Sequence, residues 1–555
     1  RSGIAQVYVV ASVGGAPTQL TWYPSAASAR GFTPDGKEIL FSSGRESAPT
    51  GYGRLWKVPV KGGPSELLPA PWGFDGRYAP DGKKLVIDRV SRWDSEWRHY
   101  RGGQNTPLQI LDLKTLAEED IPTDGSEDIH PIWLSNEIFF LSDRGFIMNV
   151  WSYDVSTKAV RQVTNFTNGD VKWLEGNGNE LIIEQDGYLH IVDPIYGKTT
   201  QLNISVIGDF PWAETRLENV TDEIASASLS PTGKRILVEA RGEIFTIPVE
   251  NGDARNLTQS SGAADRRPIW SPDGKQIAWF SDKDGEGYAM YISDQEGTKA
   301  PKKISIGESK LAWEAAWSPD GKFIAFADNA VRVKVLEISN GKLLNIDVGG
   351  TNLERGSMGF TWSPDSKWLA YSKTESNSFR SIMVWNVDSK KVTSLSNPMA
   401  DAISPAWDLN GRYLYFLAST NVALGSGWAN TSSQQAQPTF GAYITLLRND
   451  EPNPFPLKTD EEPDSTSIAK TKDSKDTIAA SKNVRIDWNN LDTRIIAMPI
   501  PTGNYDGLLT GPKGSVLIIS GSSLSKYVIA DKKMEDLVKG GSQFAVSANA
   551  EKILF

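Results

Sequence analysis

The sequence predicts an all-β protein built as two tandem β-propellers, each a ring of four-stranded antiparallel blades. Three observations support this prediction: a recurring hairpin motif, a spacing between its copies that fits one blade, and a composition suited to turns. The motif reads Trp-Ser-Pro-Asp-Gly-Lys at 270–275. The 49 glycines and 19 tryptophans of the 555 residues suit many tight turns between aromatic-packed strands.

Each copy of the motif predicts two strands joined by a tight turn. Proline presets φ at the first turn position, aspartate hydrogen-bonds the local backbone, and glycine tolerates a positive φ. The apolar run after the turn is typical of a strand. A hairpin this short cannot bury its apolar face alone, so we expect the copies to stack on one another. Further copies begin at Phe32, Tyr78, Trp317 and Trp362.

The spacing of the turns indicates one blade per copy. The turns at Asp35 and Asp81, and those at Asp273, Asp320 and Asp365, lie 45 to 47 residues apart in each series. A period of ~40–50 residues in an all-β pattern is typical of propeller blades. The residues after 204 contain seven such turns, of which the last two lie near 511–514 and 548–550.

The repeat divides the chain into two predicted domains. Residues 1–203 are expected to form a six-bladed type of propeller whose first blades are incomplete, and residues 204–555 a seven-bladed one. A segment at about 421–482 interrupts the period: it is rich in Gly, Ser and Gln at 425–437, strand-like at 442–447 and charged at 458–482. The charged stretch has almost no aromatic residues, which predicts a flexible insertion. A solvated loop is the favoured interpretation of this insertion, and a docking tail the alternative. Both chain ends fall in mid-blade, so we expect these residues to be part of a longer protein.

The composition argues against several classes of function. The net charge of −10 does not favour nucleic-acid binding, which needs a basic face. The absence of cysteine excludes disulfides and Cys-ligated zinc but does not indicate a compartment. No apolar run approaches the ~20 residues of a membrane helix, so no membrane span is expected.

No catalytic motif, metal site or cofactor site is predicted within these residues. There is no Gly-x-Ser-x-Gly nucleophile elbow, no phosphate-binding glycine loop, and no metal-ligand spacing among the three histidines. His130 precedes a proline at a strand entrance and is interpreted as structural. A catalytic triad cannot be judged from sequence, because its members are neighbours only in space.

One loop, at 93–103, is unusually rich in aromatic and basic residues. The favoured interpretation is a long loop that caps a propeller face or packs on a neighbouring blade. The alternative is a peptide or partner contact, because Trp, Tyr and Arg are frequent interface anchors. On that alternative the candidate contact residues are Trp97, Arg98, Tyr100 and Arg101.

The Pro-Asp-Gly-Lys hairpins resemble those of TolB-like propellers, and a shorter propeller followed by a seven-bladed one resembles the tricorn protease and its bacterial homologues. Two stretches are more specific than the repeat. Tyr100-Arg-Gly-Gly103, after a Trp-rich loop, is similar to a feature of the first tricorn propeller. Residues 486–505 are similar to the segment that enters the late blades of the second. The resemblance covers essentially the whole chain.

The resemblance implies the propeller half of a soluble, S41-type serine peptidase from a prokaryote, either cytoplasmic or exported. In that family, helical, PDZ and protease domains follow the propellers, the protein assembles as a hexamer, and it degrades oligopeptides. The seven-bladed propeller is regarded there as the substrate route and the six-bladed one as the product route. No catalytic residue of the family falls within this chain.

The resemblance also implies one substrate contact. The family holds the peptide's C-terminal carboxylate with a basic pair in the first propeller. The nearest match here is Arg45, but its neighbour Glu46 breaks the pair. Recognition of a carboxylate by Arg45 alone remains chemically reasonable, because charge-assisted hydrogen bonds are strong.

Two other classes of function compete with this interpretation. A stand-alone TolB-like scaffold for protein–protein interaction would bind a partner across one propeller face. A propeller enzyme with its own site, such as a lyase or glycosidase, would need carboxylates or histidines clustered at a channel mouth. The lack of motifs makes this last class the least favoured.

Overall fold

The computed structural model describes residues 3–48, 51–90, 99–178, 180–214, 216–285, 287–309, 311–350, 358–420, 438–456 and 483–555. The chain divides into two compact units, 1–214 and 215–555. The sequence placed this boundary slightly earlier, at 203/204. In the described ranges, regular structure consists of β-strands and of short 3-10 turns at Pro211–Ala213, Thr221–Glu223 and Asp492–Arg494.

The first unit contains one two-stranded sheet followed by four sheets of four antiparallel strands, counted over its described residues. Each sheet takes its strands in chain order, as hairpin repeats require. The strands are β1 (Tyr8–Val9), β2 (Thr18–Gln19), β3 (Ala27–Phe32), β4 (Glu38–Ser43), β5 (Arg54–Pro59), β6 (Glu66–Leu67), β7 (Asp75–Tyr78), β8 (Lys84–Asp88), β9 (Gln109–Asp112), β10 (Glu118–Asp120), β11 (Asp128–Leu134), β12 (Glu137–Ser142), β13 (Asn149–Asp154), β14 (Val160–Gln162), β15 (Val171–Asn177), β16 (Glu180–Gln185), β17 (Tyr188–Val192) and β18 (Thr199–Gln201).

The second unit contains, in its described part, six four-stranded antiparallel sheets and a final two-stranded sheet. Its strands are β19 (Ile224–Leu229), β20 (Arg235–Ala240), β21 (Glu243–Pro248), β22 (Arg255–Asn256), β23 (Arg266–Trp270), β24 (Gln276–Ser281), β25 (Ala289–Asp294), β26 (Lys302–Ile304), β27 (Ala312–Trp317), β28 (Phe323–Asp328), β29 (Arg332–Glu337), β30 (Lys342–Val348), β31 (Thr361–Trp362), β32 (Trp368–Thr374), β33 (Arg380–Asn386), β34 (Val392–Ser394), β35 (Asp401–Trp407), β36 (Tyr413–Ser419), β37 (Gly441–Leu446), β38 (Ile495–Ala497), β39 (Gly507–Thr510), β40 (Ser515–Ser520), β41 (Ser523–Val528), β42 (Lys533–Lys539), β43 (Ala545–Val546) and β44 (Ile553–Leu554).

The first strands of successive sheets contact one another and form the inner wall of each unit. In the first unit β3, β7, β11 and β15 follow one another in this way. In the second unit β19, β23, β27, β31 and β35 do the same, β39 follows β35, and β43 packs against β19. The last sheet of the second unit thus lies beside its first. These contacts confirm the predicted all-β, two-propeller architecture, in which the first strands line a central channel.

Apolar side chains fill the space between neighbouring sheets. One such cluster joins β27–β30 to β31–β34, and its largest members, Tyr371 and Trp385, are fully buried. Similar clusters join β31–β34 to β35–β38, β35–β38 to β39–β42 and, in the first unit, β11–β14 to β15–β18. The prediction that hairpins bury their faces by stacking is therefore correct, and this packing leaves the inner wall free to carry polar side chains.

The hairpin turns have the geometry that their sequence predicts. In the turn at 270–275, Asp273 accepts hydrogen bonds from the hydroxyl of Ser271 (2.6 Å) and the backbone N–H of Lys275 (3.0 Å). Gly274 follows with a φ of 71°. At the equivalent position of a later turn Ser366 adopts a φ of 63°, which is unusual for a residue with a side chain. Its Oγ accepts the backbone N–H of Asp320 from the preceding turn (2.9 Å).

The predicted insertion at 421–482 contains one regular strand. Residues 421–437 and 457–482 lie outside the described residues, but Gly441–Leu446 between them forms β37, the third strand of its sheet. Arg494, just before β38, donates to the backbone carbonyl of Leu446 (2.6 Å). Among the described residues, no helix has the length and apolar character needed to cross a membrane.

Candidate functional site

Four first strands carry a polar residue with the same unusual backbone. His130, Arg267, Glu314 and Ser404 each stand three positions before a tryptophan, and their φ values are 51°, 55°, 53° and 54°. Each lies where the register of the strand shifts by a β-bulge. Bulges re-aim side chains and are frequent beside functional sites. They place a polar group on the inner wall at corresponding points of four blades.

In the first unit, Asp75 on β7 is the centre of a charged cluster on the inner wall. This carboxylate is 2% exposed. Arg77 approaches it at 2.9 Å, His130 at 3.4 Å, and Arg30 at 3.7 Å. These partners come from β7 itself, β11 and β3, so the cluster ties three successive blades together.

The cations around Asp75 outweigh its burial. Burial alone would raise the pKa of this carboxyl, but the hydrogen bond from His130 and the charges of Arg77 and Arg30 hold the pKa below its ordinary value. A buried carboxylate kept ionised in this way needs all of its partners, because removing one leaves charge without compensation.

The cluster extends to the fourth blade through two contacts. The ring of His130 lies against the indole of Trp173 on β15, with centroids 4.3 Å apart. The guanidinium of Arg77 donates to Glu175, also on β15, at 2.8 Å. Because β7 and β15 belong to blades that are not neighbours, this ion pair reaches across the inner wall.

In the second unit, the bulged positions of the inner wall are linked through backbone groups. The carboxylate of Glu239 on β20 is 3% exposed and accepts the backbone N–H of Arg267 (2.9 Å) and the hydroxyl of Ser226 (2.6 Å). On β35, the hydroxyl of Ser404 accepts the backbone N–H of Leu508 in the next blade (2.7 Å). Each contact fixes the wall of one blade against the next.

Glu314 on β27 makes a similar contact but has an unusual protonation equilibrium. Its carboxylate accepts the backbone N–H groups of Met358 (2.9 Å) and Gly359 (3.2 Å), which precede β31. Burial raises the pKa of Glu314 to about 7, and the two hydrogen bonds and the charge of Arg267 offset only part of that effect. Glu314 therefore changes its charge near neutral pH.

Arg45, the sequence-predicted carboxylate contact, lies on aromatic rings. Its guanidinium carbon stands 3.8 Å from the ring centroid of Trp56 and 5.2 Å from that of Tyr23. Its Nε is buried and has no hydrogen-bond partner. Burial lowers the pKa of Arg45. The rings hold the planar group in one orientation, which is how aromatic residues commonly position arginine.

The unusual loop at 93–103 is described only from His99 onward. Trp97 and Arg98 lie outside the described residues. Arg101 forms a two-pronged ion pair with Asp143 of the next blade, at 3.0 and 3.2 Å. The ring of Tyr100 covers Gly102, where a Cβ would meet the tyrosine hydroxyl at 2.2 Å. The described part of the loop thus packs on a neighbouring blade.

His130 belongs to the charged cluster of the first unit. The sequence treated it as a strand entrance, whereas it lies within β11 and contacts both Asp75 and Trp173. The spacing to the tryptophan three residues later was a usable signal, because it recurs at four blades. The sequence analysis missed Arg77 and Glu175 for another reason: 98 residues separate them in the chain.

Over the described residues there is no group of three His, Asp or Glu side chains arranged to hold a metal ion. The polar groups of the inner walls are instead donors and acceptors for hydrogen bonds and ion pairs. Such walls suit the binding or passage of a polar chain.

The comparisons with known proteins agree with this architecture. The tricorn protease N-terminal β-propeller domain matches residues 1–198, and the tricorn protease second β-propeller domain matches residues 224–555. The crystal structure of the tricorn protease superposes with a TM-score of 0.59 at 19% identity, over 99% of this chain and 53% of that one. At that identity the superposition shows the fold alone.

Two curated relatives extend over most of the chain. A tricorn protease homolog of Saccharolobus solfataricus is 26% identical over 90% of this chain and 45% of its own length. The tricorn protease homolog 1 of Streptomyces coelicolor is 25% identical over 100% of this chain and 53% of its own length. The chain thus spans about half the length of these relatives. It belongs to the tricorn protease family, of which it carries the N-terminal and the second β-propeller domains.

Proposed function

We propose that the two propellers guide unfolded peptides in a tricorn-like serine protease, the second admitting substrate and the first releasing product. In this proposal the catalytic residues lie in helical, PDZ and protease domains outside these 555 residues, and the protein assembles as a hexamer. Membership of the family supports the proposal, as does the length of the relatives, of which this chain spans about half.

The polar inner walls are the observation that carries the proposal. The wall groups that retain contact with water are Arg267 and Glu314 in the second unit and His130 in the first. Buried carboxylates such as Glu239 and Asp75 hold this wall in place behind them. An unfolded chain carries one N–H and one C=O per residue, and polar walls can exchange hydrogen bonds with these groups as it moves. A folded protein is too wide for a channel lined by single strands, so the route would select unfolded peptides.

Arg45 has a place in this proposal as a contact for the peptide's C-terminal carboxylate. Its guanidinium is pre-oriented by Trp56 and Tyr23, which lowers the entropy lost on binding. Tyr100 and Arg101, with Trp97 and Arg98, remain proposed peptide contacts. Arg101 would have to share its guanidinium with Asp143.

The test is to obstruct the second channel of the natural protein. The 555 residues contain no cysteine, so a single cysteine can be placed at Arg266, whose side chain on the first strand β23 is 56% exposed. Any cysteine elsewhere in the protein is replaced first. Alkylation with a bulky maleimide should then lower the turnover of ten-residue peptides several-fold.

A matched variant carries the cysteine at Lys303, on the fourth strand β26, where the side chain is 44% exposed. The same alkylation there should leave peptide turnover unchanged. Equal turnover by the two alkylated proteins would refute the proposed route.

A further inference from the structure

The ion pair between Arg77 and Glu175 joins two blades that have a third blade between them. Arg77 lies on β7 and Glu175 on β15, and the sheet that begins with β11 separates the two. Their side-chain atoms are 2.8 Å apart. Since first strands line the channel, a contact between non-adjacent first strands has to cross part of the opening.

The two partners differ in how firmly they are held. Arg77 is 15% exposed, and its other nitrogen donates to the carboxylate of Asp75 (2.9 Å) and to the carbonyl of Gly76 (3.0 Å). Glu175 is 43% exposed, and Arg77 is the ion-pair partner described for it. The arginine is therefore the fixed end of the contact, and the glutamate is the end that can move.

We propose that the Arg77–Glu175 pair is a removable bar across the channel of the first unit, and that a passing peptide displaces Glu175. This inference rests on the proposed function, because it concerns how a peptide uses that route. The bar is weak by its nature. Ion pairs that retain this much contact with water contribute about 0.2–1 kcal/mol, and salt screens them. A contact of that strength narrows the opening and yields to a chain that replaces its hydrogen bonds.

The contacts of Asp75 explain why Glu175 can move while Arg77 stays in place. Asp75 holds Arg77 and is itself held by Arg30, His130 and the backbone N–H of Gly76 (2.7 Å). Loss of Glu175 from Arg77 leaves these contacts intact. Opening the bar therefore costs one partly exposed ion pair and does not disturb the buried cluster.

The test measures how fast a peptide reaches the first unit. An acceptor dye is attached to a cysteine at Thr167, which is exposed in the connection between β14 and β15. Energy transfer from a donor-labelled ten-residue neutral peptide then reports its arrival by stopped flow, using the full chain. In low salt, Glu175→Gln should accelerate association about 1.5- to 5-fold, which is the fold-change equivalent to 0.2–1 kcal/mol. Added KCl should accelerate the wild-type chain toward the same rate.

Glu535→Gln is the matched control. Glu535 also stands 2.8 Å from its cationic partner, Lys526, and its side chain is also 43% exposed, but this pair lies on β41 and β42 of the second unit. Its loss should not change the association rate.

The possible outcomes distinguish failure of the proposed Arg77–Glu175 bar from failure of the proposed product route. If the peptide associates with the wild-type chain and with Glu175→Gln at equal rates and equal salt dependence, the bar is refuted and the route stands. If energy transfer fails to develop with every variant and at every salt concentration, the peptide does not enter the first unit, and the proposed product route is refuted together with the bar.

Discussion

The bulged first strands of the two units are linked to their neighbours by different chemistry. In the first unit, side chains meet side chains: Arg30, Arg77 and His130 converge on the carboxylate of Asp75. At the bulges of the second unit, side chains meet backbone: Glu314 accepts N–H groups of the next blade, and Ser404 does the same. His130 in the first unit and Glu314 and Ser404 in the second all stand at bulges of first strands, so one backbone device serves both kinds of contact.

These two kinds of contact predict different losses of stability when a residue is substituted. A buried charge whose partner is removed is strongly destabilising, whereas the loss of one neutral hydrogen bond costs about 0.5–1.5 kcal/mol. The first unit should therefore be sensitive to single charge changes. At Glu314 and Ser404 in the second unit, the loss of stability should be smaller, and at Glu314 it should depend on pH.

The largest effect is expected at Asp75. Asp75→Ala leaves Arg30 and Arg77 facing each other without their shared carboxylate, and we expect a loss of about 3–5 kcal/mol in the free energy of unfolding. Denaturant unfolding followed by tryptophan fluorescence measures this loss. Asp81→Ala is the control, because the carboxylate of Asp81 lies in an exposed turn 3.9 Å from Lys83. A similar small change for both variants would show that the cluster does not hold the first unit together.

The next effect concerns Glu314 and pH. Its folded pKa of about 7 lies above the ordinary value of 4.5, so its contribution to stability is fully present below about pH 4.5 and is lost as the pH rises through 7. That loss amounts to about 3 kcal/mol between pH 4.5 and 8, since one pKa unit corresponds to about 1.4 kcal/mol. Glu314→Gln should remove this slope from the pH profile of unfolding. A slope unchanged by the substitution would contradict the assignment.

Ser404→Ala is expected to have a smaller effect. It removes the hydroxyl that accepts the N–H of Leu508 and leaves that backbone group without its partner, at a cost of about 1–2 kcal/mol. Amide hydrogen exchange at Leu508 should become faster. Ser228→Ala, in the half-buried wall of β19, gives a comparison at a first-strand serine without a bulge at its position. If exchange at Leu508 is as slow in Ser404→Ala as in the wild-type chain, the cross-blade link is unimportant.

The smallest expected effect is a difference in stability between two substitutions, made at Trp362 and Trp270, which hold equivalent positions in their blades. The indole N–H of Trp362 donates to the carbonyl of Ala316 in the preceding blade (3.1 Å), whereas the buried indole N–H of Trp270 has no hydrogen-bond partner. Each change to Phe removes the same atoms. Trp362→Phe should therefore cost about 1 kcal/mol more than Trp270→Phe. Equal losses would mean that the interblade hydrogen bond does not contribute to stability.

The repeat made most of the fold predictable, because a propeller is built from local hairpins. The turns at Asp35, Asp273 and Asp365 depend on residues within five positions of one another, and the sequence shows them directly.

The inner-wall contacts were not predictable in this way. Asp75 meets His130 from 55 residues away, and Arg77 meets Glu175 from 98, so no window of one blade contains both partners. The positions themselves left a trace, since His130, Arg267, Glu314 and Ser404 all stand three residues before a tryptophan. This spacing indicates which residues lie on the inner wall. It does not indicate which residue each of them contacts, because the contact partners come from neighbouring blades.

Ser366 joins two neighbouring hairpin turns. Its hydroxyl, carried on a backbone that glycine would adopt more readily, receives the N–H of Asp320 from the turn of the blade before it. Glycine stands at this position in the turns at 270–275 and 317–322, and it has no hydroxyl with which to hold the preceding turn. Ser366 thus adds a polar link between two blades that otherwise meet through apolar side chains. Because a hydrogen bond requires a defined distance and direction, this link limits the rotation of one blade against the next more narrowly than apolar packing does.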